Sequence, residues 1–151
     1  LSPPEPPKLT DTVEVFTVML RNAMFHRVEL FGDEQDARLE TLDHLPDGAV
    51  PYTSDNWADA LDDDLGTYED PDDSPAARSP EVFRIYKAPK VSSSEMADVG
   101  AQSGDYWLVT QVLVDPQGNY DFGLNAVVHL EASNERGSPA VTTLSVGTPL
   151  L

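Results

Sequence analysis

The spacing of apolar residues changes from a helical to a strand period between the first and the last third of this 151-residue chain. In the first third, apolar side chains recur every three or four residues, at Phe16, Leu20, Ala23, Met24, Val28 and Phe31. This spacing places them on one face of a helix. It predicts an amphipathic helix from Val13 that is about 30 Å long, at ~1.5 Å per residue, with a cap at Thr10 or Asp11 and a weak point at Gly32.

In the last third, residues 106–114, 121–132 and 140–146 are rich in Val, Leu, Thr and aromatic residues that alternate with polar ones. A period of two predicts strands. Pro and Gly within 115–119 and 134–139 favour tight reversals, so we expect an antiparallel meander. The short run 82–86 is a fourth candidate strand. The middle strand is expected to meet the helices through Phe122, Leu124, Ala126, Val128 and Leu130.

Helices followed by an antiparallel sheet are typical of the α+β class. A second helix is expected to open at Ser54 or Asp55, with an apolar side formed by Trp57, Leu61, Leu65 and Tyr68. We therefore predict a single α+β domain over residues 11–148, preceded by a flexible Pro-rich leader at residues 1–10. Residues 69–80 and 88–104 are predicted loops because Pro, acidic and small polar residues dominate them.

The charge balance argues against several classes of function. The chain has 27 Asp and Glu against 9 Lys and Arg, a formal net charge of -18, and residues 55–73 hold nine acids and no Lys or Arg. Such a surface repels a phosphate backbone, so direct nucleic-acid binding is not expected. The acidic spacing does not match a calcium-binding loop and the chain has no cysteine, so no metal is predicted. No apolar run approaches the roughly 20 residues of a membrane span, so no membrane contact is expected.

Motifs for catalysis are absent from the sequence: there is no phosphate-binding loop, nucleophile elbow or paired-histidine zinc motif. We therefore predict no catalytic residue and no cofactor. His129 shares a strand face with Asn125 and Glu131, and acid–base chemistry there would require that face to be enclosed. If the fold instead encloses a ligand pocket, the candidate polar groups are His26, Tyr120 and Asp121.

Four stretches carry a resemblance to a known family: residues 20–30 (LRNAMFHRVEL), 57–61 (WADAL), 78–83 (RSPEVF) and 107–135. Together they resemble the uncharacterised C-terminal domain that follows the motor of certain actinobacterial DEAD/DEAH-box (superfamily-2) helicases. The resemblance implies that an ATPase core lies upstream, and it supplies no catalytic residues. The order of elements is also similar to the nuclear-transport-factor-2-like (cystatin-like) fold, a cone of N-terminal helices against a bent antiparallel sheet.

These observations lead to the hypothesis of a cytoplasmic, non-catalytic accessory domain that binds its helicase motor or another protein; a second copy of the chain is a further candidate partner. The expected contact surface is a sheet face of alternating apolar and small polar residues. Its predicted members are Val109, Gln111, Leu113, Val127, His129, Val141 and Thr143. The alternative is a stand-alone small-molecule-binding or isomerase-like protein of the same fold, because such cones often enclose a cavity.

Overall fold

The structure, a computed structural model, describes residues 8–64, 83–87, 99–100, 105–113 and 122–151. This part of the chain contains four α helices and a four-stranded sheet, which confirms the predicted α+β class. The elements are α1 (Val13–Gly32), α2 (Asp36–Leu42), α3 (Ser54–Asp64), β1 (Phe83–Tyr86), β2 (Tyr106–Val112), β3 (Gly123–His129), α4 (Leu130–Arg136) and β4 (Ala140–Gly147). Within the described ranges, no helix has the length and apolarity to cross a membrane.

The four strands form an antiparallel sheet in the order β1-β2-β3-β4, which is the predicted meander. At its centre, Val109 lies opposite Ala126, and Val128 lies opposite Val141. Residues directly opposite each other in an antiparallel pair point to the same face. This register therefore decides which side chains of each strand meet the helices.

One hydrophobic core joins α1 to the predicted inward face of β3, which confirms that face. Its members on these two elements include Phe16, Leu20, Met24, Phe31, Leu124, Ala126 and Val128. The ring centroids of Phe16 and Trp107 lie 5.2 Å apart, and those of Phe31 and Trp57 lie 5.5 Å apart. Each large apolar side chain buried here contributes about 1.5–3 kcal/mol relative to its exposed state. These contacts hold α1 on the sheet and α3 against α1.

The predicted strand segment 121–132 was too long, because β3 ends at His129 and the chain continues as α4. Asp105 provides the acceptors for the start of this helix: its main-chain oxygen accepts the Leu130 N–H at 3.0 Å, and its Oδ1 accepts the Glu131 N–H at 3.1 Å. Gly137 ends the helix with a φ of 76°, a conformation that glycine adopts readily. The predicted turn at 134–139 is therefore partly helical.

The second predicted helix begins at Ser54, as expected. Thr53 caps it: its Oγ1 accepts the Asn56 N–H at 3.2 Å, and the Asn56 Oδ1 accepts the Thr53 N–H at 2.9 Å. This reciprocal pair satisfies N–H groups that have no partner within the helix. Leu65 and Tyr68, predicted on the apolar side of this helix, lie outside the described residues.

The predicted leader and loops are described only in part. Residues 1–7 and 69–80 lie outside the described ranges. Thr10 is attached to α4, because its N–H donates to the Asn134 Oδ1 at 2.9 Å and its Oγ1 accepts from the Asn134 Nδ2 at 3.1 Å. Within the predicted loop 88–104, Val99 is buried against Tyr106 and Val127. Both contacts place the flanking segments on the α+β domain.

Candidate functional site

The seven residues of the predicted partner surface do not share one face of the sheet. Val109, Leu113 and Val141 belong to the core that packs on α1. Gln111 and Thr143 pair with core-facing residues of β3 and point to the same side. The prediction that these five residues form an outer contact surface was therefore wrong.

The register of β2 against β3 explains why that prediction failed. Odd-numbered residues of β2 lie opposite even-numbered residues of β3, so Val109 shares a face with Ala126 and not with Val127. A one-residue change of register moves every side chain of a strand to the other face. The alternation of apolar and polar residues along β2 and β3 is the same in either register, so it does not predict which face a side chain occupies. Only Val127 and His129 of the predicted surface lie on the outer face, where Val127 is fully buried.

The C-terminal segment lies against part of the outer face, through Asn125. The Asn125 Oδ1 accepts hydrogen bonds from the Thr110 Oγ1 at 2.8 Å and the Leu150 N–H at 2.9 Å. Its Nδ2 donates to the Ser145 Oγ at 3.1 Å and to the Thr148 carbonyl at 3.0 Å. All four hydrogen-bonding positions of this buried amide are thereby used. Residues 148–150 thus lie against the sheet where a partner had been expected.

The candidate pocket residues do not converge between the helices and the sheet. His26 is exposed on the solvent side of α1. Tyr120 and Asp121 lie outside the described residues. The predicted internal pocket therefore has no described polar member.

A buried ion pair joins α1 to the sheet instead. The Arg27 Nη2 lies 3.2 Å from the Asp43 Oδ1, and the Thr143 N–H and hydroxyl donate to the two oxygens of the same carboxylate at 2.9 and 3.0 Å. Burial raises the pKa of Asp43 above its usual value, and Arg27 and Thr143 oppose that rise. Burial likewise lowers the pKa of Arg27, against the attraction of Asp43. With both charges enclosed, this cluster is structural.

The residue after Asp43 begins a second polar arrangement, on the outer face. The Thr142 hydroxyl donates to the His44 carbonyl, and the Thr142 Oγ1 lies 2.9 Å from the Nε2 of His129. The His44 and His129 rings meet edge to face, with centroids 5.4 Å apart. Burial lowers the pKa of His129 to about 4, and the neighbouring His44 contributes in the same direction, while Asp105 opposes it.

His44 and His129 form part of the wall of an open cleft of about 350 Å³. The other lining residues are Pro46, Gly100, Asp105, Glu131, Ala132 and Glu135. Among the described residues, three carboxylates and no Lys or Arg therefore line the cleft. The arrangement favours a positively charged ligand.

A second concave surface is an apolar groove of about 360 Å³. It is lined mainly by Val50, Pro51, Tyr52, Val99, Leu144 and Leu150. Val50 and Leu150, which line the groove, keep 57% and 48% of their surface exposed. The lining of this groove is more apolar than that of the cleft beside His129.

The chain matches, over residues 2–146, a family described as "Domain of unknown function (DUF3516)". It belongs to this family. Searches of curated proteins and of solved structures gave no match. The family match establishes that the chain is an uncharacterised domain.

Several of the site residues of this DUF3516 domain were missed from the sequence, among them Asp43, Thr142, Val50 and Leu150. Asp43 is not part of a periodic run of apolar residues, and Val50 and Leu150 lie in segments without regular structure, so the pattern of the sequence did not single them out. Among the residues that the structure describes, no group of three or more His, Asp or Glu is arranged to hold a metal ion.

Proposed function

We propose that this chain is a non-catalytic protein-interaction domain of a cytoplasmic ATP-dependent helicase, and that its partner is the helicase motor. The helicase assignment depends on the resemblance of residues 20–30, 57–61, 78–83 and 107–135 to the domain that follows such motors. The packing of α1 on one face of an antiparallel meander supports a nuclear-transport-factor-2-like assignment for the fold.

The observation that carries the interaction role is the apolar groove beside Val50 and Leu150. Two large aliphatic side chains stand exposed at a concave apolar surface, and burial of each by a partner would contribute on the order of 1–2 kcal/mol. A partner that inserts one apolar side chain into the groove would cover both. Interface anchors commonly occupy such pockets.

The charge around the groove indicates the charge of the partner surface that surrounds the inserted apolar side chain. Between Arg38 and Arg78 the chain has 12 acids and no Lys or Arg, and the groove residues 50–56 come from this stretch. Asp47, Asp55 and Asp59 are exposed near them. The complementary surface is therefore basic. A nucleic-acid motor carries Lys and Arg on its nucleic-acid-binding side. A second copy of this acidic chain would instead be repelled by the acidic residues around the groove.

The test measures the affinity of the purified chain for the motor polypeptide that the proposal places upstream, by titration calorimetry. Val50→Asn and Leu150→Asn should each weaken binding by about tenfold or more. Val18→Asn is the matched control, because Val18 is 53% exposed on α1 and away from the groove.

Equal affinities of all three variants and the unmodified chain would refute the groove as the contact surface. Absence of any binding to the motor would refute the motor as partner. Concentration-dependent dimerisation that Val50→Asn abolishes would instead assign the groove to a second copy. Raised salt should weaken motor binding, because the proposed complex depends on opposite charges.

A further inference from the structure

Hydrogen bonding determines which nitrogen of His129 carries the proton. The Thr142 hydroxyl has one proton, and it donates that proton to the His44 carbonyl. The Thr142 Oγ1 can therefore only accept from the His129 Nε2 at 2.9 Å. In the neutral ring, Nε2 then bears the hydrogen and Nδ1 keeps its lone pair.

The Nδ1 lone pair is an unused acceptor at the wall of the cleft. The His129 side chain is 95% buried, since only 5% of its surface is exposed, and its ring forms part of the cleft wall. Among the described residues, the hydrogen bond of its ring is the one that Nε2 makes with Thr142. The Nδ1 lone pair is therefore available to a donor that enters the cleft.

The charges around His129 favour a cationic donor. The titratable groups facing the cleft are His44 after α2, Asp105 before β2, and Glu131 and Glu135 on α4. Three carboxylates give the cleft a negative potential, and the low pKa of His129 keeps the imidazole neutral at pH 7. An anion would meet only repulsion there.

We propose that the cleft beside His129 binds an organic cation that carries N–H donors, a primary ammonium or a guanidinium group. One N–H donates to the His129 Nδ1, and the carboxylates of Asp105, Glu131 and Glu135 balance the charge. Such a group is supplied by a Lys or Arg side chain of a polypeptide or by a free amine. The inference is independent of the groove and of the helicase assignment.

The experiment uses the full chain, labelled with ¹⁵N at histidine, at pH 7 and constant ionic strength. The ring nitrogen shifts should report Nε2 as protonated and Nδ1 as unprotonated. Addition of ethylammonium or methylguanidinium chloride should move the Nδ1 resonance in a saturable manner. Tetramethylammonium has the same charge and no N–H donor, so it should leave Nδ1 unchanged.

Two sets of variants separate the contribution of the His129 Nδ1 acceptor to cation binding from that of the carboxylates. His129→Gln retains a donor for Thr142 but has no acceptor at the position of Nδ1. It should weaken binding about tenfold, followed through the amide resonances of Asp105 and Ala132 in the uniformly ¹⁵N-labelled chain. Glu131→Gln/Glu135→Gln should weaken binding by about threefold to tenfold. Glu14→Gln/Glu34→Gln removes the same charge from exposed positions elsewhere and should have no such effect.

The proposal is overturned if Nδ1 carries the proton, if tetramethylammonium shifts Nδ1 as ethylammonium does, or if the control pair weakens binding as much as the cleft pair. If His129→Gln does not fold, the nitrogen shifts of the unmodified chain still decide the matter. Tighter binding of acetyl-lysine-methylamide than of ethylammonium would assign the cation to a polypeptide side chain, and the reverse order would assign it to a small amine.

Discussion

Arg27 and Asp43, 16 residues apart in sequence, form an ion pair 3.2 Å long in which the two side chains are only 5% and 1% exposed. The pair links α1 to the segment after α2, and through Thr143 to β4. Removal of one partner leaves the other charge buried without compensation.

Asp43→Ala should therefore lower the free energy of unfolding by about 3–5 kcal/mol. Arg27→Met/Asp43→Ala, which removes both charges, should cost less than Asp43→Ala alone. Urea denaturation followed by tryptophan fluorescence measures both. A loss of less than about 1 kcal/mol for Asp43→Ala would mean that the pair behaves like one on the surface.

Acid should destabilise the fold through His129. Its pKa lies at about 4 in the folded state and near 6.5 in the unfolded state, so the stability it contributes is present above pH 6.5 and is lost as the pH falls towards 4. Because water at the cleft mouth screens part of the penalty, we expect a loss of about 1 kcal/mol between pH 7 and pH 5. The measurement is urea denaturation across this range for the unmodified chain and for His129→Gln. A pH dependence that is identical in the two proteins would contradict the assignment.

Asn125→Ala should release the C-terminal segment from the outer face. The change leaves the Thr110 hydroxyl and the Leu150 N–H without their common acceptor, which should cost about 2–4 kcal/mol. Hydrogen exchange at the Leu150 amide should accelerate. Asn22→Ala, at an exposed position of α1, is the control and should leave that amide protected.

Gly100→Ala should be more harmful than Gly48→Ala, although both glycines have positive φ, +74° and +81°. A Cβ at position 100 would lie 2.8 Å from the Cβ of Pro46, whereas position 48 has nothing within 4 Å. Each change carries a backbone cost of about 1 kcal/mol, and the overlap should add about 1 kcal/mol or more at Gly100. Thermal unfolding of the two variants gives the comparison; equal losses would argue against the packing of residue 100 on Pro46.

Local patterns predicted the elements well and their mutual placement poorly. The positions of Phe16, Leu20 and Met24 gave the buried face of α1, because helix geometry alone determines which of its residues share a side. The face of Val109 depends on the register of β2 against β3, a long-range property that alternation does not contain. The same limitation applies to Asp43, whose partners Arg27 and Thr143 lie 16 and 100 residues away in sequence. It also applies to His129, whose partner Thr142 lies 13 residues away.

The Asp43-His44 pair also closes one side of the sheet to further strands. The Val141 carbonyl accepts the His44 N–H at 2.8 Å, and the Thr143 N–H donates to the Asp43 carboxylate, so two successive outward-pointing backbone groups of β4 are already occupied. An uncovered sheet margin is a template for pairing with another chain and for aggregation. Growth of the sheet beyond β4 would first require displacement of this dipeptide.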